Sequence, residues 1–277
     1  MPDRALPAPF LKWAGGKRQL LPRILQLVPS RIDTYYEPFI GGGAVFFALA
    51  ARGAFRRAVI GDANPELCNC YQAVRDDVDG VIAALHGYRN DRDLYYRVRA
   101  QDSSRWTPAA RAARIIFLNR CGYNGLYRVN SRGEFNVPFG RSRRPVICDE
   151  AKLRAASASL QKVRIACGDF AKLLPKVGPR DFVYLDPPYV PISVTSSFTA
   201  YAGGDFGSAT QERLGRELRM LAERGVRALL SNSDCTATRK LYRGLDIERI
   251  QARRAINSVA RRRGPVHEIL VKLGVGA

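Results

Sequence analysis

The sequence predicts an α/β fold, one domain interrupted by a helical insertion that carries a hairpin. Three observations lead there. The N-terminal third runs strand, glycine turn, helix, strand, acidic residue, the order of a nucleotide-binding βαβ unit. Residues 66 to 120 then turn helical, and residues 122 to 140 become rich in glycine, asparagine and aromatic rings. After about residue 150 strands and helices alternate again.

Thr34 to Phe39 (TYYEPF) reads as a short buried strand, broken by the glycines of the run Ile40 to Ala44. Val45 to Ala51 follows as an apolar helix, and Arg57 to Gly61 as a second strand that ends in Asp62-Ala63-Asn64-Pro65. Leu67, Cys70, Tyr71 and Val74 recur at helical spacing, as do Val81, Ile82 and Leu85, and later Ile115, Ile116 and Leu118. Ser131-Arg132-Gly133 reads as a hairpin turn. Lys162 to Cys167, Asp181 to Leu185 and Val226 to Ser231 are strand candidates, with a helix at Gln211 to Arg224. Val266 to Leu273 reads as an edge strand.

A chain of 277 residues, 46% of them apolar, suffices for one sizeable core with an inserted module. No apolar run reaches the roughly 18 to 20 residues that span a bilayer, and the N-terminal MPDRALPAPF lacks the pattern of a signal peptide. A cytoplasmic protein without a membrane partner is expected. Cysteines stand at 68, 70, 121, 148, 167 and 235, with no C-x-x-C pair and only His86 and His267 to join them. That spacing offers no zinc site, so reduced, mostly buried thiols and no metal are expected. The net charge of +20, carried mostly by arginine, favours a polyanionic partner because each neutralised phosphate releases counterions. Charge alone does not choose DNA over RNA.

The sharpest chemical signal is Asp186-Pro187-Pro188-Tyr189, directly after the apolar run DFVYL. Ligands of open α/β sheets bind at the carboxyl ends of strands. The exocyclic amine of adenine is a weak nucleophile, because its lone pair is delocalised into the ring. The Asp186 carboxylate and the Pro187 carbonyl can each accept one N6–H and so favour a pyramidal nitrogen. Proline at 187 fixes φ and with it the direction of that carbonyl. Tyr189 can stack on a base that has left its duplex. Methyl transfer from a sulfonium to such an amine works by alignment and charge placement and needs neither metal nor nucleophilic cysteine. No Pro-Cys dipeptide occurs, which argues against methylation at cytosine C5. Two weaker signals accompany it. Glu37 to Gly43 offers glycines that let a ligand approach the backbone, with Asp62 about 20 residues on, placed to hold ribose hydroxyls. Lys12, Trp13 and Lys17 flank Gly15 and Gly16, which suits either a cap over a small anionic, partly apolar ligand or an exposed basic turn.

In combination and in this order, WAGGK, EPFIGGGAVFFAL, GDANPEL, FLNRCGYNGLYRVNSRGEFNVPFG and DPPY resemble the Dam-type DNA adenine methyltransferases. The likeness continues through FTAY at 198 to 201, LLSNSD at 229 to 234 and RRAINSVARRRGPVHEILV at 253 to 271. The resemblance implies a Rossmann-like, S-adenosylmethionine-dependent methyltransferase core at 1–65 and 151–277, and a mostly helical target-recognition domain at 66–150 that carries a β-hairpin. It implies S-adenosylmethionine held by Trp13, Lys17, Glu37, Gly41, Gly43, Asp62 and Asp186, with Asp169 and Phe170 flanking the adenine of the cofactor. Asp186, Pro187, Pro188 and Tyr189 would be catalytic. Lys12, Tyr123, Asn124, Leu126, Arg128, Asn136, Pro138 and Arg141 fall on positions that contact DNA. Such enzymes commonly modify adenine in GATC of duplex DNA, and a monomer is expected. Ser142 departs from the aromatic residue, and Tyr127 from the smaller one, usual in close relatives.

The residues of the insertion agree with that implication. Arginine pairs bidentately with guanine and asparagine with adenine, while aromatic rings fill the gap left by a flipped base. Arg141, Arg143 and Arg144 suit phosphate contacts, which position rather than specify. The run Arg261 to Arg263 suits a solvated loop equally well. Two other readings stay open at this stage. Related acid-or-asparagine PPY tetrapeptides also serve RNA bases, cytosine N4 and protein glutamine, and a catalytically silent DNA-binding protein could keep the same fold.

Overall fold

The computed structural model describes residues 5–13, 15, 17, 19–190, 206–253 and 265–276. The FTAY motif, Arg261 to Arg263 and most of the segment before Pro265 lie outside the described residues.

Helix α1 (Leu21–Leu27) leads into strand β1 (Ile32–Glu37), helix α2 (Ala44–Ala51) and strand β2 (Phe55–Asp62). Helices α3 (Pro65–Asp76), α4 (Val78–His86), α5 (Arg92–Ala100) and α6 (Pro108–Cys121) follow. After the hairpin region the chain continues with α7 (Glu150–Leu160), β3 (Val163–Cys167) and β4 (Phe182–Leu185). It closes with α8 (Ser208–Glu223), β5 (Arg227–Ser233), α9 (Thr236–Leu241), β6 (Asp246–Arg253) and β7 (Pro265–Leu273).

The strands form one sheet in the order β3-β2-β1-β4-β5-β7-β6. The first five are parallel to one another, and β7 runs antiparallel to both β5 and β6. Side chains alternate between two hydrophobic layers, as the twofold strand period requires. Tyr35, Phe182, Tyr184, Leu229 and Leu270 face one layer, shared with α2, α3, α6 and α7. Tyr36, Val183, Leu185, Leu230, Ile269 and Val271 face the other, covered by Leu214, Leu218 and Leu221 of α8 and by Tyr242. The result is a sheet sandwiched by helices, the α/β class that the element order predicted.

One sequence expectation about the sheet needs correction. The segment at 266 to 273 is no edge strand: β7 lies between β5 and β6. Ile269, Leu270 and Val271 are all fully buried, as a strand covered on both faces must be. The edge on that side is β6, whose sequence DIERIQAR is half charged and carries no apolar pattern, a composition that keeps an edge from pairing with other chains. The bounds of β1 to β4 otherwise follow the predicted strands to within one or two residues.

Helix α3 starts where its local chemistry dictates. The Asn64 side chain accepts from the backbone N–H groups of Glu66 and Leu67 at 3.0 and 3.3 Å, and Pro65 occupies the first turn. A cap of this kind contributes about 1 kcal/mol. Helix α6 begins likewise with Thr107 and Pro108, and it is buried on most of its surface. It packs against α3, α4 and α5, and α3 in turn packs on β3 and α7. Residues 66–150 thus share one continuous hydrophobic cluster with the first face of the sheet. Past α6, Tyr123–Gly125 makes a tight turn with Asn124 at φ 54°, and the chain folds back through bridges Val129↔Phe135 and Gly122↔Phe139. The expected turn is present: Gly133 donates to the Asn130 carbonyl at 2.9 Å, and its φ of 78° is the left-handed value that favours glycine.

Candidate active site

The sheet order reverses between β1 and β4, and open α/β sheets bind ligands at such a switch point, beyond the carboxyl ends of the strands. Glu37 ends β1, Asp62 ends β2, and Asp186 follows β4. Sequence-distant residues meet there. Lys17 is 7% exposed, and its Nζ lies 2.7 Å from Asp186 Oδ1. The same ammonium donates to the Gly15 carbonyl at 2.8 Å and sits 4.7 Å from the centre of the Tyr189 ring.

The second hydrogen bond to Asp186 comes from β5, where Ser231 Oγ reaches the same Oδ1 at 2.9 Å and lies 3.0 Å from the Tyr184 hydroxyl. Both polar partners therefore converge on Oδ1, and Oδ2 receives neither. Burial raises the Asp186 carboxyl above its ordinary range, while the Lys17 charge and the two hydrogen bonds pull it back down.

The loop after Asp186 is anchored residue by residue. Gln211 of α8 donates to the Pro188 carbonyl at 2.8 Å. Asn232 Oδ1 accepts from the Val190 N–H at 3.1 Å, and Ser233 Oγ donates to the Val190 carbonyl at 2.7 Å. The Tyr189 hydroxyl donates to Glu268 of β7 at 2.6 Å. Burial, together with the Asp186 and Glu268 charges, holds the Tyr189 hydroxyl well above its usual value, so it keeps the proton it donates. Ser231, Asn232, Gln211 and Glu268 were not singled out from the sequence. A signal was present in the three consecutive polar residues Ser231-Asn232-Ser233, all essentially fully buried at the end of an otherwise apolar strand. Buried polar groups of that kind are retained where they bond something.

Around the glycine turn, Gly41 and Gly43 have φ of 46° and 72°. A Cβ on Gly41 would fall 2.9 Å from Trp13 Cδ1, and one on Gly43 would fall 2.7 Å from the Tyr71 hydroxyl. Trp13 thus lies against the turn itself, which only glycine permits. The Asp62 carboxylate accepts from the N–H groups of Gly41 and Asn64 at 3.1 and 3.0 Å, tying the turn to the end of β2. Glu37 is almost fully buried and accepts from Tyr35 Oη at 2.8 Å. Burial raises its carboxyl well above the usual range. Asp169 caps the turn after β3 and pairs with Arg213 at 2.7 Å. Phe170 beside it packs against Phe39 and Phe206, with the Arg213 guanidinium over its ring.

The expected DNA-contacting residues divide into two groups. Lys12, Tyr123, Asn124 and Arg141 line one cleft of about 310 Å³ with Arg120, Gly122 and Ser142. Asn119 holds both ends of this arrangement, pairing with the backbone of Lys12 at 2.8 Å in each direction and with the Gly125 carbonyl at 2.9 Å. Arg128 and Asn136 instead pair with each other across the hairpin at 2.7 Å, with exposed Pro138 nearby in sequence and Leu126 half-buried. Tyr127 links this region to Trp13 at the glycine turn. It is 9% exposed, stacks on Trp13 with ring centres 5.6 Å apart, and meets Phe135 edge-on.

An acid–Pro–Pro–aromatic loop at the switch point of an α/β sheet, beside a glycine turn and a basic cleft, matches what known sequences share. The sequence model of the D12 class N6 adenine-specific DNA methyltransferases matches residues 13–256. The chain belongs to this family.

Several relatives extend over nearly its whole length. The type II methyltransferase M.MjaIII of Methanocaldococcus jannaschii is 42% identical over 282 residues, which cover 95% of this chain and 98% of that one. The DNA adenine methylase of Haemophilus influenzae is 36% identical, covering 96% and 93%. That of Escherichia coli K12 is also 36% identical, covering 94% and 93%. The resemblance read from the motifs is thereby shown, and the D12-class enzyme is an adenine-specific DNA methyltransferase. Among its described residues no helix is long and apolar enough to cross a membrane.

Proposed function

We propose that this methyltransferase transfers the methyl group of S-adenosylmethionine directly to N6 of an adenine flipped out of duplex DNA, within the sequence GATC. One observation carries the proposal. At the switch point Asp186 meets Lys17 and Ser231 through Oδ1, and among the described residues neither reaches Oδ2, which suits Oδ2 to accept from a substrate amine.

Bound S-adenosylmethionine would supply an electrophilic sulfonium methyl, and the residues present fit it. The turn at 41–43 must be glycine because Trp13 and Tyr71 lie against it, Trp13 provides an apolar wall, and Lys17 and Asp62 provide a cation and an acid for carboxylate and ribose. Asp169 and Phe170 suit the adenine end of the cofactor, with Glu37 buried beneath the turn. The rest belongs to the chain. Asp186 Oδ2 and the Pro187 carbonyl accept the two N6–H groups and localise the nitrogen lone pair. Gln211 keeps the Pro188 carbonyl turned away, and Tyr189, with Lys17 over its ring, stacks on the extruded base. Residues 66–150 form the target-recognition part. The cleft of Lys12, Tyr123, Asn124 and Arg141 meets the DNA, and the hairpin brings Leu126, Arg128, Asn136 and Pro138 to it.

The test is to express the enzyme in cells lacking adenine methylation and sequence their DNA by a method that reads N6-methyladenine. Methylation confined to GATC is the expected result. Methylation at another site would remove GATC alone, and efficient labelling of ribosomal RNA with none of duplex DNA would overturn the substrate.

Two further outcomes are expected. Arg141→Ala should weaken DNA binding and reduce the slope of log K against log salt by about one counterion, because a phosphate contact is lost. An unchanged slope removes Arg141 from the contact surface. Gly41→Ala should push Trp13 off the turn and strain a positive φ. It should raise KM for the methyl donor about tenfold, equivalent to roughly 1–2 kcal/mol of strain, with a smaller change in kcat. A normal donor KM in a folded variant would separate the turn from cofactor binding.

A further inference from the structure

Away from the switch point, the fold brings His86 to two side chains distant from it in the sequence, Cys148 and Glu150. His86 is the last residue of α4, Cys148 precedes α7, and Glu150 is its first residue. Their ligand atoms, one imidazole nitrogen, one thiol sulfur and one carboxylate oxygen, all lie within 4.8 Å of one another. His86 Nε2 is 3.0 Å from Glu150 Oε1. Asp149, between the other two, is turned away: it caps α7 through the Lys152 N–H at 3.1 Å and pairs with Lys152 Nζ at 2.7 Å. The residues on either side of it are thus the ones that face His86.

We propose that His86, Cys148 and Glu150 form a binding site for one zinc ion, which clamps α4 to α7. A tetrahedral zinc holds ligand atoms roughly 3.5 Å apart, so half-exposed side chains reach it by small rotations. Nitrogen, sulfur and oxygen donors together select a borderline cation such as zinc over magnesium or calcium, which take oxygen alone. The Cys148 thiol releases its proton to solvent on binding. A thiolate and a carboxylate then balance the ion's charge, and water completes the fourth position. The consequence is mechanical. Helix α4 lies within the segment 66–150, α7 returns the chain to β3, and the two helices already pack together. A shared ion ties them at the point where the chain re-enters the sheet domain.

The test is equilibrium dialysis of the full chain against zinc sulfate, with cobalt as spectroscopic probe. Expected are one zinc per chain, a cobalt spectrum with thiolate charge-transfer absorption, and a Tm raised by several degrees with zinc but not with magnesium. His86→Ala and Cys148→Ser should each weaken binding by about 30-fold and abolish the Tm shift, Cys148→Ser should remove the thiolate band, and Cys235→Ser should leave all three intact. Methyl transfer without added metal should be unchanged in His86→Ala. Wild-type binding no tighter than that of His86→Ala, or a site indifferent to Cys148→Ser, would show an ordinary His86–Glu150 ion pair and overturn the proposal.

Discussion

Asp186→Ala is expected to lower methyl transfer by at least about 10²–10³-fold while leaving DNA affinity essentially unchanged, since it removes a preorganised acceptor from the reacting nitrogen. The intermediate variant, Asp186→Asn, makes the expectation sharper. An asparagine side chain has one acceptor oxygen where aspartate has two. In that variant the oxygen can meet Lys17 and Ser231, as Oδ1 does now, or face the substrate amine, but not both. Activity should therefore fall in the order wild type, Asp186→Asn, Asp186→Ala. The measurement is single-turnover transfer to a duplex oligonucleotide, with DNA binding measured in parallel. An alanine variant as active as the asparagine variant would mean that Asp186 does not accept from the substrate. A wild type as inactive as both, yet binding DNA well, would favour a silent DNA-binding protein.

Lys17→Met is expected to reduce transfer by about tenfold to a hundredfold, with a pH signature that a merely structural role would not produce. The sign follows from the site. Burial raises the Asp186 carboxyl and the Lys17 charge opposes that rise. Removing the cation lets the carboxyl take up its proton at higher pH. In the proposed mechanism the reacting form is the carboxylate, so the acid limb of the kcat profile should move upward, and the variant should recover most at alkaline pH. Lys17→Arg keeps the charge and should keep the limb near its original place. A uniform loss of activity with an unmoved acid limb would assign Lys17 to donor binding alone. Measuring kcat at saturating donor separates that case from the one argued here.

Much of the site was legible because its signals are local. Glycines after a strand, an acid at the next strand end, and Asp-Pro-Pro-Tyr after an apolar run each depend on a few adjacent residues whose backbone demands are known. The strands carrying them were found for the same reason. What stayed hidden was long-range. Nothing near Asp186 in the chain announces Lys17 or Ser231, and nothing near Tyr189 announces Glu268. The position of β7 inside the sheet was misjudged because an isolated apolar run does not state what covers each face. Charged β6 gave no apolar pattern to read. Likewise His86 and Glu150 are 64 residues apart, beyond any spacing rule for a metal site.

By itself, then, the amino-acid order determined the α/β class, the succession of motifs and the chemistry proposed for the loop at 186–189, because strand period, turn conformation and donor–acceptor type are properties of short segments. Only the tertiary structure decided which oxygen of Asp186 meets Lys17 and Ser231, how Tyr127 joins the hairpin to Trp13, and which three side chains meet beside α7. Those depend on sheet order and helix packing, which bring distant segments within hydrogen-bonding range once the chain has closed on its core.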